Sequence, residues 1–130
     1  MRLDQKASRS GGRGSLSRVA LQVLSLVAAI SSARAETVSV KYRGPVQLAH
    51  FVCTDVTRSS FITRVCYDRA KNYMIIGLQG TYYHYCAIDP ATVDGLLRAD
   101  SMGRYFNANI RSGADQHGPF DCRDHPVPGY

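Results

Sequence analysis

Residues 78–88 read Leu78-Gln-Gly-Thr-Tyr-Tyr-His-Tyr-Cys-Ala-Ile88, a hairpin turn at Gly80-Thr81 followed by a strand crowded with tyrosines. On strict alternation Tyr83, Tyr85 and Ala87 share one face, and Tyr82, His84, Cys86 and Ile88 share the other. The run before it, residues 73–79 (YMIIGLQ), puts Met74, Ile76 and Leu78 on one face. Gly77 falls on the other, where a neighbour can approach the backbone closely. One step further back, residues 61–68 (FITRVCYD) are β-branched and aromatic. Phe61, Thr63, Val65 and Tyr67 alternate against Ile62, Arg64 and Cys66, so Ile62 argues for a bulge or for two covered faces. The links between these runs are too short for parallel crossovers, which predicts an antiparallel meander.

After residue 88 the period changes. Asp89-Pro90 reads as an N-cap followed by proline at the first helical position. Val93, Leu96 and Leu97 then give the i, i+3, i+4 stripe of a short amphipathic helix through about Asp100. Ser101 caps a second segment, residues 102–110, in which Met102, Phe106 and Ile110 recur every four residues. Arg111 and Ser112-Gly113 mark its end. Upstream, residues 36–44 alternate weakly and read as a frayed edge strand that Pro45 interrupts, and residues 46–56 (VQLAHFVCTDV) read as a better strand. The expectation is an α+β fold: a small antiparallel sheet of three or four strands with one or two short helices on one face.

The net charge of +6 is unevenly spread. Residues 1–35 hold six Lys/Arg against Asp4 alone, a net +5, whereas residues 36–130 hold ten against nine, a net +1. The basic leader has the build of a secretory signal peptide. A basic stretch to Arg18 is followed by an apolar run over residues 19–30 (VALQVLSLVAAI) and a small-residue cleavage pattern at Ala33-Arg34-Ala35. Twelve residues of helix rise only about 18 Å against about 30 Å of hydrocarbon, which disfavours a retained membrane span. The expected mature chain begins at Glu36 and is periplasmic or secreted.

Cys53, Cys66, Cys86 and Cys122 all fall in that mature part, at spacings of 13, 20 and 36. An even count in a small exported domain reads as two disulfides, and no close C-x-x-C pair suggests zinc. No metal or other cofactor is expected. Cys66 and Cys86 lie on the first and third strands of the meander. Strands two apart are separated by about 9–10 Å, beyond the roughly 7 Å limit for a bridge. Each is therefore expected to bond outward, to Cys53 or Cys122. The polar, proline-containing residues 112–130 would be tied down through Cys122.

Three blocks in order resemble the KTSC domain, a small family named after a C-terminal extension of some lysyl-tRNA synthetases and also found as stand-alone bacterial proteins. The blocks are Ser59-Ser60, Ile62, Val65 and Tyr67-Asp68; then Gly80, Tyr83 and Tyr85; then Ser101, Gly103, Tyr105-Phe106-Asn107 and Ile110-Arg111. The resemblance covers residues 59–111, leaving residues 36–58 as an N-terminal extension with room for an extra strand. Cys66 stands where the family usually has glycine, and Cys86 is likewise a departure, so the cysteines look like additions for an oxidising compartment. Through the synthetase connection the resemblance implies RNA binding, which a mature charge of +1 fits poorly.

The candidate binding residues are Tyr83, Tyr85, Arg104, Asn107 and Arg111. The tyrosines can stack rings, but their phase favours packing on Val93 and Leu96. Arg104, Asn107 and Arg111 can hold a carboxylate or phosphate, or else Asn107 caps a buried turn and Arg111 pairs with Asp100 or Asp68. His84 beside Cys86 raises a Cys–His nucleophile, which a disulfide at Cys86 would remove. No G-x-S-x-G, phosphate-loop or paired-carboxylate pattern occurs. The favoured reading is an exported, disulfide-stabilised, non-catalytic interaction or structural module acting on a protein or small-ligand partner. A nucleic-acid-binding module and a secreted Cys/His enzyme are the alternatives.

Overall fold

The computed structural model describes residues 35–111 and 117–130. The leader and its apolar run (residues 1–34), and the Ser112-Gly113 helix stop, lie outside the described residues.

At the centre are three antiparallel strands, β4 (Ile62–Asp68), β5 (Tyr73–Leu78) and β6 (Thr81–Tyr85). The turn between the last two sits one residue earlier than the sequence suggests. Gln79 and Gly80 carry it with φ of 49° and 88°, and Leu78 pairs with Thr81. Two positive φ angles give the turn whose twist matches the flanking strands. The register between β4 and β5 shifts between Ile62 and Arg64, the bulge that Ile62 calls for. It lets Ile62 join Val65 and Tyr67 in the helix-side core. Gly77 is indeed closely approached: a Cβ there would lie 2.8 Å from the Thr63 hydroxyl and 3.3 Å from the Tyr82 ring.

With β1 (Thr37–Val40), β2 (Gly44–Gln47) and β3 (Val52–Asp55) the sheet has six strands rather than three or four, in the order β2-β1-β6-β5-β4-β3. The supposed frayed edge is β1 (Thr37–Val40), an interior strand that pairs antiparallel with β2 (Gly44–Gln47) and parallel with β6 through Val40 and Tyr82. The sheet is therefore mixed. Pro45 is tolerated because β2 is an edge strand. Residues 46–56 are not one strand: a single 3₁₀ turn at Leu48–His50 separates β2 from β3 (Val52–Asp55), which pairs with β4 at the opposite edge. Short alternation cannot distinguish one long strand from two that serve opposite edges.

Both helices lie on one face. α1 (Pro90–Arg98) starts at Asp89, whose side chain accepts from the Thr92 N–H and hydroxyl. α2 (Met102–Asn109) starts at Ser101, which accepts from Arg104 N–H. Their buried residues Val93, Leu96, Met102 and Phe106, with Ile110, close over Ile62, Val65, Met74 and Ile76. The other sheet face has its own core, in which Val38, Val40, Val46, Leu48 and Phe51 cover Cys66, Tyr73, Ile75 and Cys86. Ile88 departs from its expected face. Ala87, at φ 52°, reverses the alternation and sends Ile88 to the helix side.

The disulfides are Cys53–Cys66 and Cys86–Cys122. Each joins a meander cysteine to one outside it, as the strand spacing requires. Cys53 faces Cys66 directly in the β3–β4 register. Two such bonds suit an oxidising environment. Among the described residues, no helix is long and apolar enough to cross a membrane.

Candidate functional site

Strand β6 presents Tyr83 and Tyr85 toward α2, and both are half-buried against the helix-side core. Tyr85 meets Phe106 edge-on at 5.6 Å between ring centroids. Burial pushes the Tyr85 phenol up to about 12, against the opposing charge of nearby Arg111. The expected packing on the core is present, yet neither tyrosine hydroxyl bonds another described residue. The two rings instead wall a groove of about 510 Å³ whose other side is Asn107 and Arg111 and whose floor includes Phe61 and Leu78.

Four of the five candidate residues thus converge: Tyr83, Tyr85, Asn107 and Arg111. Arg104, exposed on α2, does not line the groove. Neither structural role suggested for the polar pair is found. Asn107 is exposed and caps no buried turn. Arg111 pairs with neither Asp100 nor Asp68. Asp68 instead accepts from the Ala70 and Lys71 N–H groups and from the Tyr130 hydroxyl. The Asp100 backbone carbonyl faces Arg58, which caps the α1 terminus by donating to Leu97 and Ala99 carbonyls.

The other motif residues are occupied by architecture. Ser59 Oγ accepts from Ile62 N–H, and Tyr67 donates a 2.7 Å bond to the Ile88 carbonyl. Gly103 makes room for Phe61, and Tyr105 donates to the Thr92 carbonyl at 3.0 Å.

The cysteine at position 86 is bonded to Cys122, so no thiol stands beside His84. His84 shares a 2.8 Å hydrogen bond through Nδ1 with the Tyr73 hydroxyl, which in turn accepts from Arg43 at 2.7 Å. Burial first, and then the Arg43 charge, hold the imidazole below its usual range. The same bridge spends the sulfurs of the His84, Cys86 and Cys122 group as metal ligands. His117, Asp121 and Asp124 also converge. There Arg123 grips Asp121 and His117 contacts Asp124, so each carboxylate already has a partner.

The sequence alone gave no sign of a second groove, of about 580 Å³, on the flank of β6 that faces the β1–β2 turn. Tyr42, His84, Asp121 and Arg123 line it with Tyr83 and Tyr85. Tyr42 and Asp121 come from outside the meander, and no local pattern brings them to β6.

A mixed sheet with two helices on one face and a groove beside its tyrosine strand defines a small α+β domain. The family model of the KTSC domain matches residues 58–113, a stretch that holds β4, β5, β6 and both helices. The chain therefore carries a KTSC domain, flanked by β1, β2 and β3 on one side and residues 117–130 on the other. No curated protein matches the chain.

Proposed function

We propose that the protein is an exported, non-catalytic binding module whose groove between β6 and α2 takes a small ligand or partner segment bearing a carboxylate or phosphate. The observation that carries this is the division of labour among the motif residues. Most are engaged in capping, turning or packing, whereas Asn107 and Arg111 stand at the rim of an aromatic groove with no described partner. A guanidinium offers a planar fork for two anionic oxygens, and rings beside it bury an apolar body. Pairing of all four cysteines supports export and argues against a thiol nucleophile. Nucleic acid is disfavoured by the near-neutral charge of residues 36–130.

Two experiments test this reading. Intact mass of protein from the periplasm or medium, before and after reduction and alkylation, is expected to begin at Glu36 and to show four thiols only after reduction. A full-length mass with free thiols would overturn export. Titration of the oxidised protein with phenyl phosphate and with phenylacetate, followed by NMR, is expected to shift Asn107, Arg111 and the two tyrosines. Arg111→Ala should weaken binding by about tenfold or more, the worth of a charge-assisted bond. Shifts scattered elsewhere, or none, would overturn the groove as an anion site.

A further inference from the structure

The groove on the other flank of β6 has features that the reading above does not use. Its rim residue Tyr42 is 86% exposed, although it is a large aromatic, and it sits at φ 71°. A bulky side chain in the left-handed region is uncommon, and such strain gathers where a ligand is gripped. The Lys41 ammonium lies 5.2 Å from the Tyr42 ring centroid and 5.5 Å from that of Tyr83, bridging the two. On the far rim Arg123 holds both oxygens of Asp121, whose carboxyl is lowered to about 2 chiefly by that bond. Asp121 and Arg123 cancel each other's charge, and the flexible Lys41 side chain must swing off the two rings before a ligand can stack on them.

The floor of the groove is strand edge. Lys41 N–H donates to the Tyr82 carbonyl, and Cys86 N–H donates to the Phe120 carbonyl, both at 2.8 Å. Backbone groups on alternate residues point to the same side, so the N–H and carbonyl of His84, between these two, face the groove. They meet no partner among the described residues. The gap is one residue long and closed at both ends, too short to admit an added strand. It presents one donor and one acceptor, a match for a single secondary amide.

We infer that this groove binds an N-acetylated amino sugar, its acetamido group pairing with the His84 backbone and its ring lying on Tyr42 and Tyr83. The C–H face of a pyranose is electropositive and complements the negative face of a tyrosine ring. The planar ends of Asp121 and Arg123 are placed for sugar hydroxyls. This site is separate from the anion groove, although Tyr83 and Tyr85 form the wall between them.

The test titrates the oxidised protein with fully N-acetylated chitotriose and, in parallel, with cellotriose, which carries a hydroxyl in place of each acetamido group. Chitotriose is expected to bind with a dissociation constant of about 1 mM or tighter and to shift the His84 amide, with cellotriose at least about tenfold weaker. Tyr42→Ala should remove binding, Tyr42→Phe should keep it, and Arg111→Ala should leave it unchanged. Tyr42 is exposed in a turn, so both variants fold. No binding of either sugar at about 10 mM would overturn the site. Equal binding of both would overturn the acetamido assignment. Loss of chitotriose binding in Arg111→Ala would show that the sugar lies in the anion groove instead.

Discussion

Single side chains decide how β6 meets its surroundings. Tyr67 is the clearest case: its buried hydroxyl donates to the carbonyl of Ile88, just after Ala87 has turned that residue to the helix side. Tyr67→Phe keeps the ring and leaves that carbonyl without its partner. The expected loss is about 1–3 kcal/mol in urea unfolding, well above the effect of a surface change. His84 carries a pH dependence. Its Nδ1 shares a hydrogen bond with the Tyr73 hydroxyl, and burial disfavours the charged ring. The charged groups that face it are Arg43 from the β1–β2 turn and Asp121 from the C-terminal segment. A histidine depressed on folding contributes stability that is present above its unfolded value of about 6.5 and is lost as pH falls through its folded value. The melting temperature of the protein should therefore fall between about pH 7.5 and pH 5, and the fall should be smaller in His84→Gln. An identical profile in the two proteins would rule out His84 as the source.

At the scale of elements, what the sequence makes legible is local. Period-two alternation finds β4, β5 and β6, and Asp89-Pro90 and Ser101 mark both helix starts, because each signal lies within a few residues of the element it specifies. The partners of β1 and β3 are set by distant chain, and residues 36–44 carry no local sign that they become interior. Four groove residues were legible because they stand in one strand and in one helix with the residues that follow its end, whereas Tyr42 and Asp121 reach β6 only through the tertiary fold. The bridges could be limited to outward bonds because strand spacing is a fixed length. They differ in what they constrain. Cys53–Cys66 spans 13 residues and pins one strand pair, while Cys86–Cys122 spans 36 and ties down the C-terminal segment. The chain-entropy account makes the longer loop worth about 1 kcal/mol more. Replacing Cys86 and Cys122 together by alanine should thus cost about 3–4 kcal/mol in urea unfolding, and replacing Cys53 and Cys66 about 1 kcal/mol less. The opposite order would show that strand pairing, rather than chain entropy, dominates these bonds.

For the whole molecule, the KTSC segment and its flanks are two halves of a single packing problem. Residues 58–113 supply both helices and the three central strands, which is enough to close the helix-side core. The opposite face of the same strands carries Cys66, Tyr73, Ile75 and Cys86, each essentially without solvent exposure. Apart from Tyr82 and His84 of β6, what covers them comes from outside the segment: Val38, Val40, Val46 and Leu48 from the N-terminal strands and turn, Phe51 before β3, and Cys122 with Tyr130 from the C-terminal segment. Tyr130 lies against Phe51 and Tyr73, and its hydroxyl reaches Asp68 at 2.7 Å. Uncovering Tyr73 and Ile75 alone forfeits about 1.5–3 kcal/mol each. Loss of both disulfides adds about 2–4 kcal/mol per bridge, and the total rivals the roughly 5–15 kcal/mol that holds a domain folded. Residues 58–113 produced alone, with Cys66 and Cys86 changed to alanine, should therefore lack a cooperative thermal transition and give collapsed amide dispersion. The oxidised 36–130 chain should melt sharply. A sharp transition in the short segment would mean that the helix-side core is self-sufficient, and that β1, β2, β3 and the C-terminal segment were added to serve the second groove rather than to complete the fold.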